Sequence, residues 1–296
     1  MGAEISNEIK KPSKWKRRGK VLAAAGLVGY GSYKAWEYYT TPKFSDKNFI
    51  INNNLLNELK LVGRHASEIK LTDIDNTINE MKNVFRSNIT RPLTKRKEVL
   101  QQLLKMFEEN KEEIAEALKK DLGRDKFLAI AGDVLGATGE IKHMLAALDK
   151  LNAPRRVGMA MGTFPAVDYE IPEPYGTVFI NGIWNFPFGT TFGPVAGAIA
   201  AGNNVVVKPC QTALESSKLI CDLVHKYVDP KFVQIIGHHT VADDYKITDK
   251  ILDNQFDCIM FTGSCNGGRY VMGKAAKFLT PVILELGGKN PVIIDE

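Results

Sequence analysis

The chain has 296 residues, enough for one or two domains with a sizeable core, and its 44% hydrophobic and 25% charged content excludes a disordered or fibrous protein. Its net charge of +5 hints at anionic partners, but Lys10, Lys11, Lys14, Lys16, Arg17, Arg18 and Lys20 fall in one short run. Without that run the chain is close to neutral, so a nucleic-acid-binding face is not supported.

The first 41 residues read as a membrane-attachment tail. Met1-Gly2-Ala3-Glu4-Ile5-Ser6 fits the N-myristoylation pattern, and the basic run after it suits an anionic lipid surface. The uncharged stretch Val21 to Tyr33 falls short of the ~20 apolar residues of a spanning helix, while Trp36, Tyr38 and Tyr39 suit the headgroup level. No small-residue site supports a cleaved signal peptide, and Glu4 and Glu8 disfavour a mitochondrial presequence. The expected place is the cytosolic face of an internal membrane, with the cytoplasm as the alternative. Residues 42–71, polar and rich in Asn, read as a tether.

Organised sequence begins at Thr72. Thr72-x-x-Asp75 has the form of a capping box, and Ile74, Ile78, Met81 and Phe85 recur at helical spacing. Arg91-Pro92-Leu93 breaks that helix. Val99, Leu100, Leu103, Leu104 and Phe107 mark a second helix over 95–109, with its charges read as a solvated face. A third covers 111–122 with Gly123 at its C′ position, and a fourth is expected over 126–150.

From Tyr175 the texture changes to short apolar runs alternating with helices. Strands are expected at 176–180, 204–208, 232–236, 256–261 and 282–286. Helices are expected at 192–201, 213–227, 246–252 and 268–278. This pattern predicts an α/β fold, a Rossmann-like parallel sheet with helices on both faces, preceded by a helical N-terminal segment. No G-x-G-x-x-G follows the first strand, and the architecture alone licenses no function.

Four short motifs fall at strand ends, where such sheets place ligands. Trp184-Asn185-Phe186-Pro187 offers an amide that can donate to an oxygen becoming anionic, though an Asn before Pro is also an ordinary turn. Lys208-Pro209-Cys210-Gln211 can contact ribose hydroxyls, and the Lys208 ammonium can also meet a 2′-phosphate. Phe261-Thr262-Gly263-Ser264-Cys265-Asn266-Gly267-Gly268 runs from a strand through a Gly/Ser-rich turn into a helix start, which is a phosphate site or a plain loop. Glu285-Leu286-Gly287-Gly288 puts a carboxylate at the last strand end, a general base or a buried strand entering a turn. Cys210, Cys221, Cys258 and Cys265 lack CxxC spacing and paired histidines, so they read as reduced thiols, with no disulfide frame and no metal site.

In order, these motifs resemble those of the aldehyde dehydrogenase superfamily. Glu285-Leu286-Gly287-Gly288-Lys289-Asn290-Pro291 is similar to its glutamate signature, and Trp184 to Pro187, Gly197 to Pro209 and Phe261 to Ser264 to its earlier motifs. Arg91-Pro92-Leu93, Lys120-Asp121-Leu122-Gly123 and Lys277 to Val282 bring the chain closest to the class 3 and fatty aldehyde dehydrogenase branch. The resemblance runs from about Thr72 to the end. It implies NAD(P)-dependent oxidation of aldehydes to carboxylic acids, with long-chain aliphatic aldehydes suggested by the tail, and NAD or NADP as cofactor. Glu285 and Asn185 would be the catalytic base and oxyanion donor. Trp184, Lys208, Gln211, Gly263, Ser264, Cys265, Asn266, Gly267 and Gly268 would bind the cofactor.

The sequence departs from the family in three places. Gln211 stands where a Glu is usual, which predicts tolerance of NADP beside NAD. The turn from Cys265 to Gly268 is richer in glycine than usual, which predicts a looser turn. The nucleophilic Cys and the oligomerisation arm of the family lie further along its chain than Glu296. None of the four cysteines substitutes for the nucleophile. The expectation is an incomplete version of a homo-oligomeric enzyme, or a non-catalytic membrane-anchored dinucleotide-binding relic.

Overall fold

The computed structural model of the chain describes residues 45–46, 49–158, 161–163, 166–237 and 244–295. The expected membrane tail, residues 1–41, lies outside them. Among the described residues no helix is long and apolar enough to cross a membrane.

Apolar periodicity builds the first helices. In α1 (Ile74–Arg86) Ile74, Ile78 and Met81 are buried along one stripe. The cap differs from the expected box: Thr72 lies in the 3-10 turn Leu71–Asp73, and the Lys70 amide donates to Asp73 at 3.2 Å. Asp75 instead turns outward to Lys250 and to Asn254 Nδ2 at 2.8 Å, so a tertiary pair outcompetes the local cap. After Pro92, α2 (Leu93–Glu109) buries Val99, Leu100, Leu103, Met106 and Phe107. Its Arg96 is 5% exposed, against the expectation of a solvated charged face. Arg96 bonds Thr90 O, Asn152 Oδ1, Ala200 O and Arg91 O at 2.6–3.1 Å, so every edge of the guanidinium is satisfied inside the protein. Helix α3 (Lys111–Leu122) stops at Gly123, whose φ of 62° lets its N–H reach Lys119 O. The fourth expected helix is α4 (Lys126–Ala129), a π-helical turn (Ile130–Val134) and α5 (Leu135–Leu151).

Five strands follow, β3 (Thr177–Asn181), β4 (Asn204–Lys208), β5 (Val233–Ile235), β6 (Cys258–Thr262) and β7 (Val282–Glu285), all parallel in the order β5-β4-β3-β6-β7. Helices α6 (Gly189–Ala200), α7 (Leu214–Tyr227), α8 (Asp244–Leu252) and α9 (Cys265–Ala276) connect them. Side chains alternate between two cores, as the pleat requires. Val178, Ile180, Val205 and Val207 pack with the α2, α3, α5, α6 and α7 side chains. Phe179, Val206 and Ile259 pack with those of α1, α8 and α9. Both faces of the central strands are therefore buried, and continuous apolar runs at these strands follow from that.

The stretch from 49 to 71, expected as a tether, is held against this body. The Glu80 carboxylate accepts from the amides of Lys60, Leu61 and Val62 at 2.7–3.0 Å, and Leu61, Ala66 and Ile69 are buried. Residues 154–170 belong to a separate small unit. There β1 (Arg155–Arg156) pairs antiparallel with β2 (Tyr169–Glu170), reinforced by an Arg155–Glu170 ion pair.

Candidate active site

Parallel register brings the ends of the strands to one edge. Asn181 stands beside Lys208 and Phe261, and Thr262 beside Glu285. From β3 the chain steps outward through β4 to β5, then returns across to β6 and β7, so strand order reverses beside β3. The crevice at such a reversal is where doubly wound sheets take ligands.

The loop after β3 carries Trp184 and Asn185. Gly182 opens it because a Cβ there would stand 3.0 Å from Thr191 Oγ1 and 3.2 Å from Lys208 O. Trp184 is half exposed. Asn185 Oδ1 accepts from the Phe186 amide at 3.1 Å, which leaves its Nδ2 without a partner among the described residues. Two residues that sequence reasoning passed over hold the loop. Arg124 donates to the Asn185 carbonyl, lies 4.4 Å over the Phe186 ring and pairs with Asp133 at 2.5 Å. Fully buried Asp133 accepts from the Phe188 and Gly189 amides at 3.0 and 2.9 Å and so caps α6. Burial pushes its carboxyl above the usual range, against the pull of the Gly189 amide and of Arg124. Asp133 sits on the π-helical turn, and Gly132 beside it admits the Phe186 ring, which a Cβ would meet at 2.9 Å. A carboxylate amid the apolar run 128–135 was the available signal. Arg124, one charge among many, gave none.

Helix starts at this edge differ in what they offer an anion. Asp133 occupies α6, and Asp121 accepts from the Glu215 and Ser216 amides at 3.0 and 2.7 Å and occupies α7. At α9 the only cap is Ser264 Oγ, taking the Gly267 amide at 3.1 Å. The Cys265 and Asn266 amides are thus left without intrahelical acceptors beside the positive end of the helix dipole, both residues being exposed. Glycine here serves close packing. A Cβ on Gly263 or Gly267 would stand 2.7 or 2.6 Å from the Phe261 ring, and one on Gly268 would stand 2.8 Å from Leu286. The glycine-rich turn is therefore seated on Phe261 and Leu286, where a looser turn was expected.

Lys208 ends β4 with a side chain 2% exposed, paired with Asp244, and Gln211 is buried in the following turn. Glu285 is exposed at the end of β7, and its carbonyl accepts from Gly263 at 3.0 Å, tying the last strand to the α9 turn. Buried acceptors without partners remain at this edge, Asn181 Oδ1 and Gln211 Oε1. Unmet acceptors and free helix-start amides fit a ligand that carries both hydroxyls and phosphates. Among the described residues no cluster of His, Cys, Asp or Glu could hold a metal.

Sheet order, reversal and open helix start define a doubly wound α/β protein of the nucleotide-binding class. Comparison with known proteins is more specific: the profile described as "Aldehyde dehydrogenase family" matches residues 60–296, and the chain belongs to that family. It is 37% identical over 223 residues to aldehyde dehydrogenase family 3 member H1 of Arabidopsis thaliana, covering 75% of this chain and 45% of that protein. It is 35% identical over 226 residues to the dimeric NADP-preferring aldehyde dehydrogenase of Canis lupus familiaris, covering 76% and 49%. Among solved structures, the substrate-bound state of Staphylococcus aureus AldH superposes with a TM-score of 0.70 at 34% identity, over 75% of this chain and 48% of that one. The chain thus spans about half the length of the relatives it matches.

Proposed function

We propose that this chain carries the cofactor-binding portion of an NAD- or NADP-dependent aldehyde dehydrogenase that oxidises aldehydes to carboxylic acids. The observation that carries the reading is the open first turn of α9 at the strand-order reversal, in a chain of this family. When bound, the nicotinamide supplies the hydride acceptor. The chain's own residues bind the cofactor and flank the reacting carbon. Cys265 and Asn266 amides hold the diphosphate, with Ser264, Gly263, Gly267 and Gly268 shaping the turn. Lys208 and Gln211 face the ribose, and Trp184 lines the cleft. Asn185 Nδ2 donates to the substrate oxygen as it gains charge, and Glu285 takes a proton. Asn181 is a further contact that the sequence did not suggest, through its unmet Oδ1.

The first 41 residues attach the protein to a membrane, and the substrates are long-chain aliphatic aldehydes. Support comes from the basic run, the apolar segment and Trp36, Tyr38 and Tyr39. Deleting residues 1–40 and fractionating cells tests this; an unchanged membrane share refutes it.

The test of catalysis is to purify the gene product carrying this sequence and follow aldehyde-dependent reduction of NAD or NADP. Asn185→Ala and Glu285→Gln should each slow it by about 10²-fold or more without unfolding the protein. Full activity in both variants refutes the roles. The thiols favour a second reading, in which this chain binds a dinucleotide without oxidising aldehydes. Cys221 and Cys258 are buried with their thiols pushed up, and Cys265 opens the phosphate turn itself. Cofactor binding with no turnover decides for that reading.

A further inference from the structure

At the carboxyl ends of β4 and β5, packing leaves one polar cluster unexplained. Lys208 and Gln211 are each 2% exposed, yet Gln211 Oε1 has no hydrogen-bond partner among the described residues. Among the described residues the Lys208 ammonium reaches the Pro209 carbonyl, at 3.4 Å, and the Asp244 carboxylate. Asp244 begins α8 and is 31% exposed, so it enters the cluster from the solvent side. Gly237, just past β5, leaves room for the two side chains to converge. A Cβ there would stand 3.2 Å from Gln211 Nε2 and 3.9 Å from Lys208 Cγ. A buried acceptor left unmet costs about 1–3 kcal/mol, so the cluster lacks a donor. A ribose diol supplies two O–H donors, one for Gln211 Oε1 and one for the carboxylate.

We propose that Asp244 completes a ribose subsite with Gln211 and Lys208 and makes the site select NAD over NADP. The inference rests on the dinucleotide reading above. A 2′-phosphate brings a charge of about −1.5 to −2 to a place where a carboxylate already stands. Lys208, the cation that the described residues bring into this cluster, is already engaged by that carboxylate. A carboxylate on the 2′-hydroxyl is the arrangement that dinucleotide sites use for NAD, whereas a free cation there accommodates the extra phosphate. Gln211 alone argues for tolerance of both cofactors; with Asp244 in the subsite, the negative charge that the family resemblance places at position 211 is supplied from α8 and favours NAD.

The test is equilibrium titration of the full chain with NAD, NADP, AMP and 2′-AMP, for wild type, Asp244→Asn and Asp244→Glu. Wild type should bind NAD at least about tenfold more tightly than NADP, because like charges are brought together in a partly buried site. Asp244→Asn should bring the two within about threefold by tightening NADP, and Asp244→Glu should keep the NAD preference. Circular dichroism checks each fold; if Asp244→Asn does not fold, wild type and Asp244→Glu on all four ligands still decide. Equal binding of NAD and NADP by wild type, or an unchanged ratio in Asp244→Asn, overturns the selection by Asp244 alone. If wild type binds neither dinucleotide, the proposed function falls and this inference falls with it.

Discussion

Replacing Asp133 with Ala should loosen the Asn185 loop from beneath. The carboxylate accepts from two amides at the start of α6 and from Arg124, which in turn holds the Asn185 carbonyl and stacks on Phe186. Losing the cap costs about 1 kcal/mol. Leaving the Arg124 guanidinium, 15% exposed, without its charged acceptor adds about 2 kcal/mol. The expected loss is therefore about 3 kcal/mol, seen as a lower urea midpoint with an unchanged slope. Asp133→Asn should cost about 2 kcal/mol, since its Oδ1 can still take both amides and keep the cap, while the Nδ2 in place of the second oxygen leaves Arg124 without its acceptor. In a cycle with Arg124→Met the two changes should couple by about 1 kcal/mol or more, because each removes the same contact. A loss below about 1 kcal/mol for Asp133→Ala, or strict additivity in the cycle, would refute this account of how the loop is held.

Three other outcomes follow from the same geometry. Gly202→Ala should destabilise by about 2 kcal/mol or more, since φ is +95° and the new Cβ would stand 2.5 Å from buried Arg96 Nη2; an unchanged melting temperature would contradict it. Asp75 is pulled up by burial but held lower on balance, below 3.8, by Lys250 and Asn254, and Asp46 likewise by Thr94 and Leu93. Their contribution is present above the unfolded value of 3.8 and lost as pH falls through the lower folded values; Asp75→Asn should flatten that acid loss in denaturant midpoints. Thiol labelling of the native chain should mark Cys265 first, while Cys221, buried with its thiol pushed up to about 12, reacts only on unfolding; early labelling of Cys221, read by mass spectrometry, would refute the packing of α7.

Much of the sheet was legible because its strands are short β-branched runs bounded by Gly and Pro, and because a two-sided core needs unbroken apolarity. Position along the chain also fixed which residues stand at strand ends, so Lys208, Thr262 and Glu285 share one edge as pattern alone suggested. Charge was the blind spot. Arg96, Asp133 and Asp244 look in sequence like any solvated residue, and only tertiary contacts reveal a satisfied buried guanidinium, a helix cap and a partner for Lys208. Asp75 shows the converse, a well-spaced local cap given up for a distant ion pair. The polar stretch before Thr72 misled for the same reason, because its amides are bound by a single carboxylate, Glu80, from another element.

The most direct test of the central claim is hydrogen exchange of the chain with and without saturating NAD. Slowed exchange is expected, confined to the loop 182–188, the turn 209–213 and the start of α9 around Cys265 and Asn266. Binding that leaves those three segments unprotected, or protects instead the outer face of α3 and α7, would contradict it.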